Sequence, residues 1–150
     1  MPTYATNKKA YFTYSVLEKM EAGLKLSGAE VKSIRSGHIS LKGAYITFHG
    51  PTPNLLNAHI PHYPQARPVA GYDPTQTRIV LLNKKESAYL REKLLEKGLT
   101  AVPLTVYTKG RYIKLEIGLA RGKKTHDKRA AIKDRDNVRE LRRAVHDLSN

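Results

Sequence analysis

The chain has 150 residues and carries 27 Lys and Arg side chains against 13 Asp and Glu, a formal net charge of +14. Because it contains no cysteine, disulfides, thiol nucleophiles and cysteine-bound metal sites are excluded, and the composition suits a reducing cytoplasm. No apolar run approaches the roughly 20 residues of a membrane helix, the first residues lack the apolar stretch of a secretory signal, and the charge indicates a polyanionic partner.

The first third of the chain is predicted to contain two strands and a short helix. Residues 1–9 are polar and are expected to form a mobile N-terminal segment. Aromatic and β-branched residues dominate 10–18, and leucines alternate with lysine within 22–26, so one strand is predicted in each range. Ser27 and Glu30 have the spacing of a capping box, which predicts a helix beginning at that point.

The middle of the chain is predicted to hold a hairpin, a long loop and a second helix. Strand-like runs at 44–49 and 55–60 flank a Gly-Pro turn, and residues 61–77 are rich in proline, as long loops are. A short apolar run occupies 78–82. The Asn-x-x-Glu spacing that follows repeats the capping-box pattern and predicts a helix lined by Leu90, Leu94 and Leu95.

The clearest alternation in the sequence follows that helix. Apolar residues recur at every second position over 101–107 and again over 111–119, with a Lys-Gly turn between the two runs. This period predicts a β-hairpin with one buried face, on which Val102, Leu104 and Val106 are expected to lie together.

These elements together predict a mainly β fold. About six short strands, with small flanking helices and no long helix between strands, favour an OB-like six-stranded antiparallel barrel over residues 10–120. Residues 121–150 hold 10 basic and 5 acidic side chains and are interpreted as a basic C-terminal tail. Apolar residues at helical spacing predict that this tail is helical when bound: Val138, Leu141, Val145 and Leu148.

Patterns typical of catalysis are weak. His59 and His62 lack a nearby carboxylate to complete a metal-ligand set, and we find no closely spaced acidic pair, phosphate-binding glycine loop or nucleophile motif. We therefore expect a protein that is not an enzyme and needs neither a metal nor a cofactor. A nuclease that uses His59 and His62 is the competing catalytic hypothesis.

Interleaved aromatic and basic residues favour binding to RNA. Residues 8–12 (Lys-Lys-Ala-Tyr-Phe) and 107–112 (Tyr-Thr-Lys-Gly-Arg-Tyr) place rings that can stack on unpaired bases beside cations that neutralise phosphates. Because no DNA-recognition helix is evident, single-stranded or irregular RNA is favoured over duplex DNA. Glu21 is either a solvated edge residue or an acceptor for base amino and imino groups.

Seven segments in collinear order carry a more specific pattern: 7–10, 21–24, 28–35, 56–60, 73–75, 81–84 and 118–129. The last reads Gly-Leu-Ala-Arg-Gly-Lys-Lys-Thr-His-Asp-Lys-Arg. Together these segments resemble the SsrA-binding protein family, also called small protein B.

The resemblance implies an adaptor rather than an enzyme. Such a protein binds the tRNA-like domain of transfer-messenger RNA and accompanies it to stalled ribosomes for trans-translation, and its barrel stands in for the missing anticodon arm. The tail would enter the vacant mRNA channel of the small subunit and contact rRNA at the decoding centre. We expect a cytoplasmic monomer with no membrane partner. The competing function is a ribosomal or initiation-type OB protein that binds rRNA directly.

The resemblance also implies which residues contact RNA. Asn7 and Glu21 would read base edges, and Leu81 would pack on nucleobases. Lys114 would contact phosphate. Four more cations are phosphate contacts by charge alone: Lys8, Lys9, Lys32 and Arg35. The segment that matches the family's decoding-centre contact comprises Lys123, Lys124, His126, Asp127, Lys128 and Arg129.

Overall fold

The computed structural model describes residues 2–122, which form seven strands and three helices. The strands are β1 (Thr3–Thr6), β2 (Tyr14–Leu24), β3 (Tyr45–His49), β4 (Thr52–Leu56), β5 (Arg78–Leu81), β6 (Leu99–Lys109) and β7 (Tyr112–Gly122). The helices are α1 (Lys8–Thr13), α2 (Gly28–Arg35) and α3 (Lys84–Lys93). The predicted tail helix lies outside the described residues.

Six of the strands close into an antiparallel barrel. In the order β6, β3, β4, β5, β2, β7, each strand pairs with the next, and β7 pairs back with β6. β1 pairs with residues 105–107 of β6, beside the point where Ala101 of β6 pairs with Ile46 of β3. Closure satisfies the backbone groups that an open edge would leave unpaired. The structure confirms the mainly β, six-stranded antiparallel fold with small helices.

The barrel interior is filled by apolar side chains from all six of its strands and from two helices. Ile34 of α2 and Leu90 of α3 are fully buried against this core, as are Leu55, Leu115 and Ile117 from the sheet. The two helices thus contribute side chains to the core of the barrel. The outer surface of the barrel remains available for a ligand.

A β-bulge at Leu104 changes which face of β6 is buried. The register shifts between Pro103 and Thr105, so Val102 and Leu104 pack with Ala10 of α1 in a small cluster, whereas Val106 faces the main core. The expectation that all three share one face is therefore wrong, because an inserted residue reverses the alternation. A Cβ at Gly118 would lie 2.8 Å from Leu104 Cδ1, so the glycine makes room for the bulged leucine.

The N-terminal segment departs most from the sequence prediction. Residues 3–6 form β1 and pair with β6, so a boundary at residue 10 does not separate a free segment from the barrel. Residues 8–13 form α1, and the strand predicted over 10–18 begins only at Tyr14. The Asn7 cap and the burial of Ala10 override the strand propensity of the neighbouring aromatic residues.

The capping box that opens α2 forms as predicted. The Ser27 hydroxyl accepts from the Glu30 backbone N–H at 3.1 Å, and the Ser27 N–H donates to Glu30 Oε1 at 3.0 Å. These two bonds satisfy donors that the first turn would otherwise leave free. They also fix the orientation of the Glu30 carboxylate. Its other oxygen, Oε2, bonds Arg78 in a buried cluster.

Two other predicted boundaries shift. The strand expected at 55–60 lies at Thr52–Leu56, because Asn57 adopts a left-handed conformation (φ +65°) and turns the chain out of the sheet. In α3 the Asn83 side chain accepts from the Glu86 N–H at 2.7 Å, as expected. The helix ends at Lys93, however, and Leu95 beyond it is 83% exposed rather than buried.

A buried ion pair holds the long loop after β4. Arg78 donates from Nε to Glu30 Oε2 at 2.8 Å and from Nη1 to the Ala58 carbonyl at 2.7 Å. The Tyr72 hydroxyl donates to the Ile60 carbonyl at 2.6 Å and accepts from Arg78 Nη2 at 3.2 Å. These bonds connect both ends of the loop to α2, and no local pattern in the sequence predicts them.

No helix within residues 2–122 combines the length and the apolar character needed to cross a lipid bilayer.

Candidate nucleic-acid interface

A row of four residues crosses the outer surface of the barrel. Strand register pairs Tyr107 with Lys114, Lys114 with Gly23, and Gly23 with Leu81, on β6, β7, β2 and β5 in turn. Paired residues of an antiparallel sheet point to the same side. Leu81 is 52% exposed, so this side faces solvent. The row brings together two of the predicted RNA contacts, Leu81 and Lys114.

Glu21 lies on the same face, two residues before Gly23 on β2. Its Oε2 accepts a hydrogen bond from the Tyr107 hydroxyl, and Lys109 Nζ lies 3.4 Å from its Oε1. The Tyr107 hydrogen bond, with help from Lys109 and Lys114, lowers the pKa of the Glu21 carboxyl against the opposing effect of desolvation. Glu21 is thus a carboxylate at neutral pH, held by a phenol and an ammonium group.

Tyr107 is the uncharged partner in this pair. Burial and the adjacent Glu21 carboxylate both raise the pKa of the Tyr107 phenol well above its ordinary value. The hydroxyl therefore remains protonated across the physiological range and acts as a hydrogen-bond donor to Glu21.

The β6–β7 turn adds cations around an exposed ring. Tyr112 is 61% exposed, with the guanidinium carbon of Arg111 5.8 Å and Lys114 Nζ 5.9 Å from its ring centroid. Arg35 of α2 reaches across and donates from Nη2 to the Arg111 carbonyl at 2.7 Å. Lys32 is exposed on the same helix, about one turn away.

These residues surround an open groove with apolar and cationic walls. We call it the hairpin groove; it is lined by Gly23, Leu24, Leu26, Val31, Leu81, Arg111, Tyr112, Ile113 and Lys114. Its exposed ring and leucine offer contact area to a nucleobase, and its ammonium and guanidinium groups suit phosphates. The groove therefore has the chemistry of an RNA-binding surface.

Asn7 does not present its amide to a ligand. The side chain is buried, accepting from the Ala10 N–H at 3.2 Å and donating to the Pro103 carbonyl at 2.9 Å. Its backbone N–H also donates to the Leu104 carbonyl at 2.8 Å. The expectation that Asn7 reads a base edge needs correction, because these bonds make it the cap of α1 and a tie to β6.

Lys8 and Lys9 are exposed but lie away from the hairpin groove. Lys9 lines a different groove with Tyr14 and Tyr45, and Tyr14 stands at the opposite end of β2 from Gly23. The nine residue steps from one position to the other span about 30 Å of strand. The predicted RNA contacts on the barrel therefore divide into two groups rather than one.

Four residues of the groove region were not assigned from the sequence as site residues: Tyr107, Lys109, Arg111 and Tyr112. Their interleaving of rings and cations was the available signal. The sequence alone could not show that Tyr107 and Lys109 approach Glu21, because that contact depends on the pairing of β7 with both β6 and β2.

The histidine pair does not form a site in the described part of the chain. His59 pairs through its backbone with Ser40, and His62 Nε2 lies 3.2 Å from the Ala66 carbonyl with its ring edge-on to Tyr72. Among residues 2–122, no three His, Asp or Glu side chains converge to hold a metal ion. The predicted decoding-centre residues from Lys123 to Arg129 lie outside the described residues.

Comparison with known proteins shows to which family the chain is similar. Residues 4–147 match the family described as SmpB protein. A protein named SsrA-binding protein from Prochlorococcus marinus subsp. pastoris is 46% identical over 139 residues, covering 93% of this chain and 79% of that protein. Another protein of that name, from Mesoplasma florum, is 49% identical over 132 residues, covering 88% and 89%.

A solved structure gives the same indication. It is described as "tmRNA-SmpB: a journey to the center of the bacterial ribosome", and one of its chains is 39% identical with a TM-score of 0.69, covering 88% of this chain and 95% of that one. The sequence match, the relatives and the shared fold all agree, and the chain belongs to the SmpB protein family.

Proposed function

We propose that this protein is an RNA-binding adaptor in trans-translation, which binds the tRNA-like domain of transfer-messenger RNA and delivers it to stalled ribosomes. The observation that carries the proposal is the meeting of Glu21, Leu81 and Lys114 on one outer face of the barrel, in or beside the hairpin groove. The names of the relatives and of the related structure support the choice of partner.

The residues of the groove divide the work by chemistry. Leu81 and Tyr112 supply apolar contact to bases, and Glu21 accepts hydrogen bonds from base donors. Lys114, Arg111 and neighbouring cations neutralise phosphates. The four further cations predicted from charge then form two groups of phosphate contacts: Lys32 and Arg35 beside the groove, and Lys8 and Lys9 on α1.

A second RNA contact belongs to the basic tail of residues 121–150. Its chain begins where Gly122 pairs with Tyr14, at the end of the barrel opposite the groove. Charge and the family resemblance support a decoding-centre contact by Lys123, Lys124, His126, Asp127, Lys128 and Arg129. In this division of labour the protein is a cytoplasmic monomer that binds transfer-messenger RNA through the barrel and ribosomal RNA through the tail. It catalyses no reaction itself.

Binding titrations test the proposal against its competitor. The full chain should bind the isolated tRNA-like domain at least about tenfold more tightly than bare small-subunit rRNA, with a steep dependence of affinity on salt. Lys114→Ala should reduce the salt slope by about 1, as expected for one lost phosphate contact. Equal affinity for both RNAs would instead favour a ribosomal protein that binds rRNA directly.

Removing residues 130–150 tests the role of the tail. The truncated chain should keep its affinity for the tRNA-like domain, because the hairpin groove is intact, but should lose tagging activity on stalled ribosomes in a reconstituted translation reaction. A large loss of affinity for the tRNA-like domain on truncation would contradict this division of labour.

A further inference from the structure

The β6–β7 turn extends beyond the strand pairing that orders the rest of the hairpin groove. The ladder between β6 and β7 ends at the pair Lys109–Tyr112, so Gly110 and Arg111 form a tight turn. Gly110 has φ +62°, as such hairpin turns require at this position. All four residues are exposed to solvent. Strand pairing alone therefore does not fix the turn, and exposed loop tips of this kind are ordinarily mobile.

One hydrogen bond joins this turn to helix α2. Nη2 of Arg35 donates to the Arg111 carbonyl at 2.7 Å, a contact across 76 residues of sequence. A charged donor at this distance makes a strong hydrogen bond. Because the acceptor is a backbone carbonyl, the bond restrains the chain of the turn rather than a single side chain.

Helix α2 is a firm support for that bond. Ser33 and Ile34, the two residues before Arg35, are fully buried. The Ser33 hydroxyl also donates to the Pro61 carbonyl at 2.7 Å, and the capping box fixes the first turn of the helix. Arg35 therefore extends from a helix that cannot shift without disturbing the core of the barrel.

The bond to the turn is compatible with a phosphate contact by the same side chain. A guanidinium group has several N–H donors, and the bond to the Arg111 carbonyl uses only one of them. The others remain for an anion. Charge therefore accounts for a phosphate contact by Arg35, whereas it does not account for the bond to a carbonyl of the turn.

We propose that Arg35 is a positioning residue, which restrains the β6–β7 turn and thereby holds Tyr112 in the orientation that binds RNA. The inference rests on the proposed function and adds to the phosphate contact expected from charge. Tyr112 directly follows the restrained carbonyl, and its ring is 61% exposed with Lys114 Nζ 5.9 Å from the centroid. A turn that is ordered before RNA arrives loses less conformational entropy on binding.

The chain offers a matched control for Arg35. Arg91 is also an exposed arginine in the last turn of a helix, α3, and it does not line the hairpin groove. Arg35→Lys and Arg91→Lys therefore make the same conservative change at equivalent positions of two helices. Arg91→Lys should leave both the order of the β6–β7 turn and the affinity for RNA unchanged.

Backbone dynamics of the free protein test the restraint directly. Nitrogen-15 relaxation should give order parameters near about 0.85, typical of rigid backbone, for residues 110–112 of the wild type. Arg35→Ala removes the donor, and Arg35→Lys replaces it with a shorter side chain of different geometry. Both variants should lower these order parameters below about 0.6, without changing those of the β3–β4 turn. Wild-type values at residues 110–112 in both variants would overturn the inference.

Affinity for the tRNA-like domain separates the restraint from charge. Arg35→Lys keeps the positive charge, so it should weaken binding about fivefold with an unchanged salt slope. Lys32→Ala removes a cation from the same helix and should instead lower the salt slope by about 1, with unchanged order parameters at the turn. Undiminished affinity in Arg35→Lys despite a mobile turn would overturn the positioning role.

A double-variant cycle tests whether Arg35 acts through Tyr112. In a Tyr112→Ala background, Arg35→Lys should have less than half of its original effect on ΔG of binding, because the group that it positions is absent. An equal effect in both backgrounds would overturn the inference. Because the order parameters are measured without RNA, they are independent of the proposed function, whose failure would appear as equal affinity for the tRNA-like domain and rRNA.

Discussion

Two glutamates of this barrel have the same kinds of partner in opposite surroundings. Glu30 is buried and bonds Arg78, with the Tyr72 hydroxyl 3.4 Å from its Oε2. Glu21 is exposed and bonds Lys109 and the hydroxyl of Tyr107.

The difference in burial separates the roles of the two clusters. Around Glu30, the Ser27 N–H and the Gln76 amide donate to the carboxylate, and the Ala58 carbonyl accepts from Arg78, so the cluster has little capacity for a ligand. Around Glu21 the carboxylate keeps an open side. A carboxylate, a cation and a phenol thus stabilise the fold in one place and form an exposed cluster, the proposed base contact, in the other.

Arg78→Ala should have the largest effect of the changes considered. It leaves the Glu30 carboxylate buried without its cation, which typically costs about 3–5 kcal/mol of unfolding free energy. Urea denaturation followed by circular dichroism measures the loss. Lys93→Ala, which breaks the exposed pair with Glu96, is the control and should cost less than about 1 kcal/mol. Similar costs for the two variants would contradict the structural role of the buried pair.

Acid should weaken the buried cluster only below the ordinary pKa of a glutamate carboxyl. Burial alone would raise the pKa of Glu30, but the Ser27 N–H and the Arg78 guanidinium lower it below the usual 4.5. The stabilisation is therefore complete above that value and is lost as pH falls through the lower folded pKa. Urea midpoints measured in this acid range should fall less steeply for Glu30→Gln than for the wild type. Identical slopes would contradict the ionised state of Glu30 in the folded protein.

Glu21→Gln separates base reading from simple charge attraction. The substitution removes a negative charge from a cationic surface, so a partner held only by phosphate contacts would bind more tightly. If Glu21 accepts from a base, affinity for the tRNA-like domain should instead fall about tenfold, the size of a lost charged hydrogen bond. Unfolding free energy should change by less than about 0.5 kcal/mol because the side chain is exposed. Tighter binding by this variant would refute the base contact.

Lys109→Ala should have the smallest effect. The ammonium group is exposed and lies 3.4 Å from Glu21 Oε1, so its loss should weaken RNA binding about threefold. The free energy of unfolding should fall by less than about 1 kcal/mol, as is usual for exposed ion pairs. A double variant with Glu21→Gln should show less than the sum of the two effects, because both changes disturb one contact. Strict additivity, measured by filter binding, would show that Lys109 acts on phosphate independently of Glu21.

Local patterns predicted the elements whose determinants are close in sequence. The Ser27–Glu30 capping box and the long β6–β7 hairpin formed as expected, because their bonds join neighbouring residues or strands connected by a tight turn. The helix α1 was missed because its stability depends on Ala10 packing against β6 and β7, a contact across most of the chain. The Leu104 bulge was missed for the same reason, since its partner surface includes Gly118.

The candidate site shows the same limit. Residue types and family resemblance led to Glu21, Leu81 and Lys114, and the strand pairing brought these three to one face. The resemblance also placed Asn7 among the base contacts, whereas burial makes it a cap. A sequence motif indicates that a residue is important. Only its three-dimensional contacts show whether that residue stabilises the fold or is exposed to bind a ligand.

The β6–β7 hairpin has a mechanical consequence for an adaptor. One end of β7 carries Tyr112 and Lys114 in the groove, and the other end consists of Arg121 and Gly122, the first two residues of the basic tail. The strand spans about 33 Å and is paired on both sides, with β2 and β6, over nearly its whole length. A ribbon paired on both sides resists bending. If RNA binds at the groove as proposed, a rotation of that RNA would therefore be transmitted along β7 to Gly122 with little loss, and under the proposed function the barrel would act as a lever of fixed length between two RNAs.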